Sequence, residues 1–171
     1  MRPKFLLHSK RLTFRPLELA DAAQYALLGV SFRSTGKIDN AVKAKKYFLK
    51  SYDSKDSFDV GIFLSDKLIG TIEVCHMSWI GYKGAEICYS IQKKHWSHGY
   101  ATEACRTVID YCFSKMKLHK IYADTWPDNI ASQRVLEKLG FTLEGRIREK
   151  HYSKGKASDE LDYGLLRREW K

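Results

Sequence analysis

The sequence lacks the features that mark several whole classes of protein. No stretch approaches the roughly 20 apolar residues of a membrane-spanning helix, and residues 1–10 lack the apolar region and cleavage site of a secretory signal. Internal repeats, low-complexity segments and helix-turn-helix, zinc-finger or RNA-recognition patterns are also missing. We therefore expect a cytoplasmic protein that does not enter a membrane and does not bind nucleic acid sequence-specifically.

Cysteine is scarce, and its spacing does not suggest a cross-linked or metal-bound scaffold. The four cysteines lie inside apolar patterns without any Cys-x-x-Cys pair, which is typical of reduced core thiols: Cys75, Cys88, Cys105 and Cys112. His95, His98 and Cys105 do not match the spacing of the common structural zinc sites. We predict that the protein holds no metal.

What the chain does have is ordinary globular composition with an excess of positive charge. Its 171 residues, 44% hydrophobic and 29% charged, are enough for one domain, residues 1–171, with a full apolar core. The formal net charge of +10 favours polyanionic partners, although the basic residues are spread along the chain.

Hydrophobic periodicity predicts alternating strands and helices. Strands are expected at 11–15, 58–64, 68–77, 85–91, 120–125, 141–148 and 159–166. Helices are expected at 21–28, from the cap Asn40 to about Tyr52, over an apolar face from Ala101 to Met116, and at 132–139. Residues 31–39 and 153–157 are expected to be loops. This order predicts an α+β fold with one mixed sheet.

A short polar turn between a predicted strand and a predicted helix is the first candidate site. Residues Trp96 to Ala104 contain a single glycine, Gly99, and lead at once into apolar residues at helical spacing. The first N–H groups of a helix lack intrahelical partners and carry the positive end of the helix dipole, so such a turn can bind phosphate. The alternative is a plain strand-to-helix connection.

A second motif follows, and together the two resemble a known family. Asn129 and Ser132 precede a helix of about eight residues that ends in Leu139-Gly140-Phe141, and the strand Glu86 to Ile91 comes before the turn. This order and spacing resemble the GNAT superfamily of N-acetyltransferases. The closest resemblance is to its ribosomal-protein N-terminal acetyltransferase branch, which also ends in Tyr, Asp and a Glu-Trp pair, here Tyr152, Asp162 and Glu169-Trp170.

The resemblance implies a fold, a co-substrate and a set of contacts. The fold would be a mixed, mostly antiparallel central sheet flanked by helices and splayed at the cofactor groove, and the co-substrate would be acetyl-CoA. The turn departs from the usual superfamily pattern because Trp96 and Ser97 stand where Gln or Arg and a small residue are common. The residues expected to contact coenzyme A are Tyr89, Ser90, Ile91, Trp96, Ser97, His98, Gly99, Tyr100, Ala101, Thr102, Asn129 and Ser132.

Acetyl transfer to an amine needs a base for the amine and an acid for the departing thiolate. The resemblance suggests Ser132 as the acid. In the ribosomal branch a glutamate nineteen residues after that serine acts as the base, and the same count leads here to His151. Histidine is a suitable base near neutral pH. Glu73 and Glu86, acting through water, remain competing bases. Alternatively, His151 is an ordinary surface histidine, and Asn129 and Ser132 only cap a helix.

The acceptor stays open at this point. The resemblance points to the N-terminal α-amine of a protein, possibly ribosomal in kind, while related folds acetylate polyamines, amino acids and antibiotics. The loops at 31–39 and 153–157 are expected to flank the acceptor. A coenzyme A-binding module without activity and a ribosome-associated structural protein are the rival classes. The protein is expected to be a monomer or a homodimer.

Overall fold

The computed structural model describes residues 5–32, 36–52, 54, 57–76, 83–153 and 155–171. The chain divides into two compact units, each described separately below. The first unit is Met1–Cys75 with Tyr89–Thr107, and the second is His76–Cys88 with Val108–Lys171.

The first unit is built on an antiparallel meander. Its strands follow one another in the order β1, β2, β5, β6, with bounds Leu7–His8, Leu12–Pro16, Ser57–Leu64 and Lys67–His76. The two-residue strands β3 (Ser31–Phe32) and β4 (Gly36–Lys37) pair separately. The prediction of an irregular segment at 31–39 was therefore wrong at these residues, because so short a pair shows no period in the sequence; residues 33–35 lie outside the described residues.

Two helices cover this meander with apolar side chains. Helix α1 (Ala22–Leu27) follows a 3-10 turn at Leu19–Asp21, and helix α2 (Ala41–Tyr52) follows Asn40, whose side chain accepts the Lys43 N–H at 3.0 Å. Both helices were predicted and are confirmed. Their buried faces form one apolar core with strand residues: Leu17, Ala22, Tyr25, Val30, Ile38, Ala44, Phe48, Phe63 and Leu68.

The second unit contains the parallel strand pair of the fold. Strand β7 (Gly84–Ile91) begins here and pairs in parallel with β8 (Lys120–Thr125), and the order continues with β10 (Lys156–Leu166) and β9 (Thr142–Ser153) in antiparallel pairing. Helix α3 (Tyr100–Ser114) passes from the first unit into this one, and α4 (Ile130–Lys138) lies wholly within it.

The parallel pair separates early. The register of β7 with β8 covers Gly84–Lys120, Ala85–Ile121 and Glu86–Tyr122, after which the described residues of the two strands no longer pair with each other. A mixed, mostly antiparallel sheet with helices and a splayed parallel pair is the predicted fold class, which is confirmed. The prediction of one domain over residues 1–171 stays a prediction.

Some predicted bounds needed correction. Strands β9 and β10 extend to Ser153 and from Lys156, so the loop predicted at 153–157 is shorter than expected; Lys154 lies outside the described residues. The exposed charged residues of β9 hid its length from the sequence pattern. Strand β1 was not predicted. Met77 and part of the predicted turn at 81–84 also lie outside the described residues, while Gly84 already begins β7.

The cysteines are free thiols in two different environments. Cys105 and Cys112 are buried on α3, as predicted, and burial raises the pKa of both thiols, that of Cys112 to about 12. Cys75 and Cys88 are only partly buried, so their assignment to the core was wrong. Both lie on strands, where residues two apart share a face, and each shares its face with a glutamate, Glu73 or Glu86.

Candidate active site

In the first unit, the segment after β7 turns sharply into helix α3. We call residues Trp96–Gly99 the α3 turn. Ser97 and Gly99 have φ values of 63° and 78°, and left-handed backbone of this kind is what glycine adopts without strain. The Trp96 indole N–H donates to the Ile91 carbonyl at 2.6 Å, which fixes the turn to the end of β7. The sequence-predicted turn is therefore present and well defined.

The start of α3 presents its backbone N–H groups beyond this turn. The first intrahelical bond runs from the Glu103 N–H to the Gly99 carbonyl at 3.0 Å. The N–H groups of Tyr100, Ala101 and Thr102 come before it, so they have no carbonyl of the preceding helical turn to bind. Together with the N–H groups of His98 and Gly99 and the Thr102 hydroxyl, they are the donors predicted from the sequence to bind the phosphates of coenzyme A.

Arg11 lies beside the α3 turn, and the sequence analysis did not identify it. Its guanidinium carbon is 4.4 Å from the centre of the Tyr100 ring, and its Nη2 atom would be 3.5 Å from a Cβ atom added at Gly99. The same guanidinium is bound to Glu103. No local pattern links Arg11 to the turn, because their contact joins segments almost ninety residues apart.

His98 has a structural role within the turn. Its Nδ1 atom is 2.6 Å from the Trp96 carbonyl, a distance at which Nδ1–H donates, and its ring stacks on that of Tyr100 with an interplanar angle of 10°. His95 makes an edge contact with the same Tyr100 ring, and burial, followed by nearby Lys94, lowers its pKa. These aromatic contacts give the α3 turn its shape.

In the second unit, Asn129 and Ser132 begin helix α4 as the sequence predicted. The Asn129 side chain accepts the Ser132 backbone N–H at 3.2 Å, which is an N-cap. The Gln133 side chain donates to the Trp126 and Pro127 carbonyls at 3.3 and 2.9 Å, so the turn before α4 is tied to the helix. Ser132 is partly buried in the first turn of this helix.

His151 is hydrogen-bonded to a buried carboxylate rather than free on the surface. Its Nε2 atom is 2.6 Å from Oε2 of Glu160, and its ring lies 4.6 Å from that of Trp126 at 66°. Lys150 binds the other oxygen of Glu160. Glu160 is 1% exposed. It was not predicted as a site residue, because a glutamate between an exposed hairpin and an apolar strand end is expected to lie on the surface.

Glu86 lies where β7 and β8 separate. The ligand atoms of Glu86, Cys88 and Asp124 lie within 4.8 Å of one another, close enough for three ligands of one metal ion. Asp124 is directly opposite Asp162 on β10. Burial raises the pKa of Asp162, Lys150 opposes this, and Glu160 and Asp124 raise it further. This juxtaposition depends on strand pairing, so the sequence alone did not reveal it.

Glu73 lies in the first unit, opposite Asp59. The two residues are cross-strand partners on β6 and β5. Asp59 accepts hydrogen bonds from the Tyr47 hydroxyl at 2.7 Å and from Ser51. Burial and then the charge of Asp59 raise the pKa of Glu73, and burial also raises the pKa of Asp59. A carboxylate with a raised pKa is a reasonable base, so Glu73 keeps its place as a candidate.

The predicted residues therefore fall into two groups. The first unit holds Tyr89, Ser90, Ile91, the α3 turn, the start of α3 and Glu73; the second holds Glu86, Asn129, Ser132 and His151. Their roles as cofactor contacts, acid and base remain predictions. No helix of the described residues is long and apolar enough to cross a membrane.

Comparison with known proteins identifies the family. Residues 11–142 match the model of the acetyltransferase (GNAT) domain. The chain is 34% identical to Bacillus subtilis YjcK, provisionally named an N-acetyltransferase, over 94% of this chain and 97% of that protein. It is 30% identical to Bacillus subtilis YdaF, provisionally named a ribosomal N-acetyltransferase, over 95% and 94%.

Two further comparisons extend this result. A crystal structure of a GNAT-family acetyltransferase from Bacillus anthracis superposes with a TM-score of 0.80 at 26% identity, covering 96% of this chain and 100% of that one. The spermidine N(1)-acetyltransferase of Vibrio cholerae is 30% identical over 54% of this chain and 53% of that protein. The chain thus belongs to the GNAT family and is an acetyl-CoA-dependent N-acetyltransferase.

Proposed function

We propose that the acceptor is the N-terminal α-amine of a protein or peptide. The observation that supports this most directly is the similarity to YdaF, which extends over 95% of the chain, whereas the similarity to the spermidine enzyme covers 54%. Acceptor specificity depends on side chains in loops along the chain, so sequence similarity along the full chain carries more weight than sequence similarity along half of it.

The proton chemistry of His151 agrees with this acceptor. An imidazole has an ordinary pKa of about 6.5, an α-ammonium about 8 and a lysine-type ammonium about 10.4. Taking a proton from an α-ammonium is therefore the easier task for a histidine base, because the two pKa values are closer. Primary amines on alkyl chains, including polyamines, need either a base or surroundings that lower the higher pKa of their ammonium groups.

We assign the steps of transfer to the residues of this chain as follows. The N–H groups of Tyr100, Ala101 and Thr102 bind the pyrophosphate of acetyl-CoA. The neutral amine attacks the thioester carbonyl, and a strand N–H within Tyr89–Ile91 supports the oxyanion. His151 forms this neutral amine by taking the first proton from the ammonium. The nitrogen–carbon bond then forms, the carbon–sulfur bond breaks, the nitrogen loses its second proton to solvent, and Ser132 gives a proton to the thiolate and regains one from solvent.

A small cationic amine is the second candidate. The observation in its favour is the close approach of Glu86 and Asp124 in the second unit, with Asp162 opposite Asp124, since carboxylates attract ammonium groups. The partial similarity to the spermidine enzyme points the same way. A polyamine would gain from several carboxylates, while a peptide N-terminus needs only one ammonium site.

A paired acceptor panel separates the candidates. The purified chain would be incubated with acetyl-CoA and a lysine-free peptide with a free α-amine, the same peptide blocked at its N-terminus but carrying one lysine, or spermidine. Released thiol and the mass of each product would be measured. We expect the free α-amine to be acetylated fastest. Exclusive acetylation of spermidine or lysine would contradict the proposal, and no thiol release with any amine despite coenzyme A binding would indicate a binding module.

A further inference from the structure

The hairpin of β9 and β10 contains a β-bulge, which brings the adjacent side chains of Lys150 and His151 to the same carboxylate, that of Glu160. Ser158 pairs with His151, but Glu160 pairs with Ile147, so between these two pairs one residue of β10 lies opposite three of β9. In a regular strand Lys150 and His151 would point to opposite faces. Here both bind Glu160, because a bulge re-aims side chains.

The bulge is held by its own contacts. Glu149 within it has a φ of 52°, a left-handed backbone that is uncommon for glutamate. Its N–H donates to Asp159 at 2.9 Å, and Arg146 donates to the same carboxylate at 2.6 Å. The geometry that brings His151 to Glu160 is therefore supported by hydrogen bonds that do not involve either residue.

The pair has the features of a positioned base. Glu160 is 1% exposed, while the His151 side chain is 21% exposed, so a buried carboxylate binds a ring that solvent can still reach. Lys150 on the second oxygen favours the carboxylate form of Glu160. The Trp126 ring packs edge-on against the imidazole and restricts its rotation. A neutral histidine that faces a carboxylate donates a hydrogen bond to it from its protonated ring nitrogen.

We propose that Glu160 is a positioning residue that holds His151 with its proton on Nε2, leaving the lone pair on Nδ1 to accept the proton of the acceptor amine. This rests on the proposed role of His151 as the base. In this step the ammonium loses a proton to Nδ1, and the Glu160 carboxylate stabilises the resulting imidazolium. Solvent removes this proton after the acetyl group has been transferred.

The direct test is the protonation pattern of His151 in the full chain without ligand. Nitrogen-15 spectra distinguish a protonated ring nitrogen from one that carries a lone pair, with assignment by comparison with His151→Ala. At a pH where His151 is neutral we expect Nε2 to be protonated and Nδ1 to carry the lone pair. A proton on Nδ1, or rapid averaging between both nitrogens, would overturn the proposal even if the enzyme is active.

Variants test whether Glu160 acts through His151. Glu160→Gln should shift the ring toward mixed protonation and lower kcat/KM by up to about 10²-fold. The matched control is Glu144→Gln on β9, the strand of His151. This change breaks an ion pair with Lys120 and does not touch His151, so the ring spectrum of His151 should match the wild type. In a His151→Ala background, Glu160→Gln should cause little further loss.

The outcomes separate this inference from the proposed function. If Glu160→Gln fails to fold, the wild-type spectrum still decides the proton position. If the spectrum is as expected but His151→Ala keeps full activity, the pair exists and the role of His151 as base is wrong. If Glu160→Gln and His151→Ala losses simply multiply in the double variant, Glu160 does not act through His151 and the proposal fails.

Discussion

Arg11 and Glu103 form a multidentate contact between the start of β2 and the first turn of α3. The Arg11 side chain places Nε and Nη2 each 2.7 Å from Oε2 of Glu103, and its backbone N–H donates to Oε1 at 2.9 Å. Ser9 adds a hydroxyl at 2.7 Å from the same Oε1 atom. Because Gly99 and Tyr100 lie beside Arg11, this contact also positions the α3 turn.

The first prediction concerns this contact and pH. Burial raises the pKa of Glu103, but hydrogen bonds from Ser9 and Arg11 outweigh it, so the net pKa is lowered. The ionised carboxylate therefore adds stability above its unfolded pKa, and the gain is lost as pH falls through the folded pKa. Glu103→Gln should lower the Tm at neutral pH, and the difference from the wild type should vanish as pH falls through the lowered folded pKa of Glu103. Glu144→Gln, at a more exposed carboxylate with a single basic partner, should change the Tm less; an equal effect would contradict this.

The second prediction concerns the phosphate donors. Gly99→Glu should weaken coenzyme A binding at least tenfold, which is about 1.4 kcal/mol. The new carboxylate would lie beside Arg11 and the first N–H groups of α3, where it competes with the pyrophosphate. Calorimetry with coenzyme A measures the change.

The control for this variant is Gly155→Glu. Gly155 has a φ of 76°, close to the 78° of Gly99, and open space around it, so the substitution brings the same backbone strain and charge at a different place. We expect normal coenzyme A affinity in Gly155→Glu. Unchanged affinity in a folded Gly99→Glu protein would place the phosphates elsewhere.

The third prediction concerns Ser132. Its backbone N–H binds the cap Asn129, so Ser132→Ala preserves this capping bond and removes the side-chain donor. If the hydroxyl relays the thiol proton, kcat should fall by about 10²-fold while acetyl-CoA affinity hardly changes. Steady-state kinetics and calorimetry on the same preparation give both quantities. If the variant keeps the wild-type kcat, Ser132 is not the proton donor and has only a structural role in α4.

The fourth prediction concerns the base. His151→Ala should lower kcat/KM by about 10²-fold or more and remove one ionisation from the pH–rate profile, because the base itself is gone. The profile is measured with a peptide α-amine under kcat/KM conditions. If the profile is unaltered, the base is Glu73 or Glu86 acting through water, and Glu73→Gln or Glu86→Gln would identify which.

The fifth prediction concerns the Glu73 and Asp59 pair. Because the folded pKa of Glu73 is raised, its ionisation opposes folding; this penalty is absent below the unfolded pKa and complete above the folded pKa. Glu73→Gln should therefore raise the Tm at neutral pH, by about 2–4 °C for each kcal/mol relieved, and leave it unchanged near pH 3. Thermal melts at both pH values test this. A lower Tm at neutral pH would show that ionised Glu73 is stabilising.

The sequence by itself determined the features that local chemistry controls. The helix cap at Asn129, the strand and helix on either side of the α3 turn, and both helices of the first unit follow from residue type and hydrophobic period, and the structure confirms them. The GNAT family could be identified because its motifs are also local and lie in a fixed order. These signals involve neighbours within a few residues, which is the range over which side-chain and backbone preferences act.

The tertiary structure decided the contacts between distant segments. Arg11 at Glu103, Glu73 at Asp59, Glu86 at Asp124 and His151 at Glu160 all join different strands or a strand to a helix. Strand register and one bulge fix these pairs, and shifting a strand by a single residue would turn every side chain to the other face. The sequence pattern does not show which charged residues are buried, so only the folded chain distinguishes the buried Glu160 from the partly buried acids Asp159 and Asp162 on the same strand.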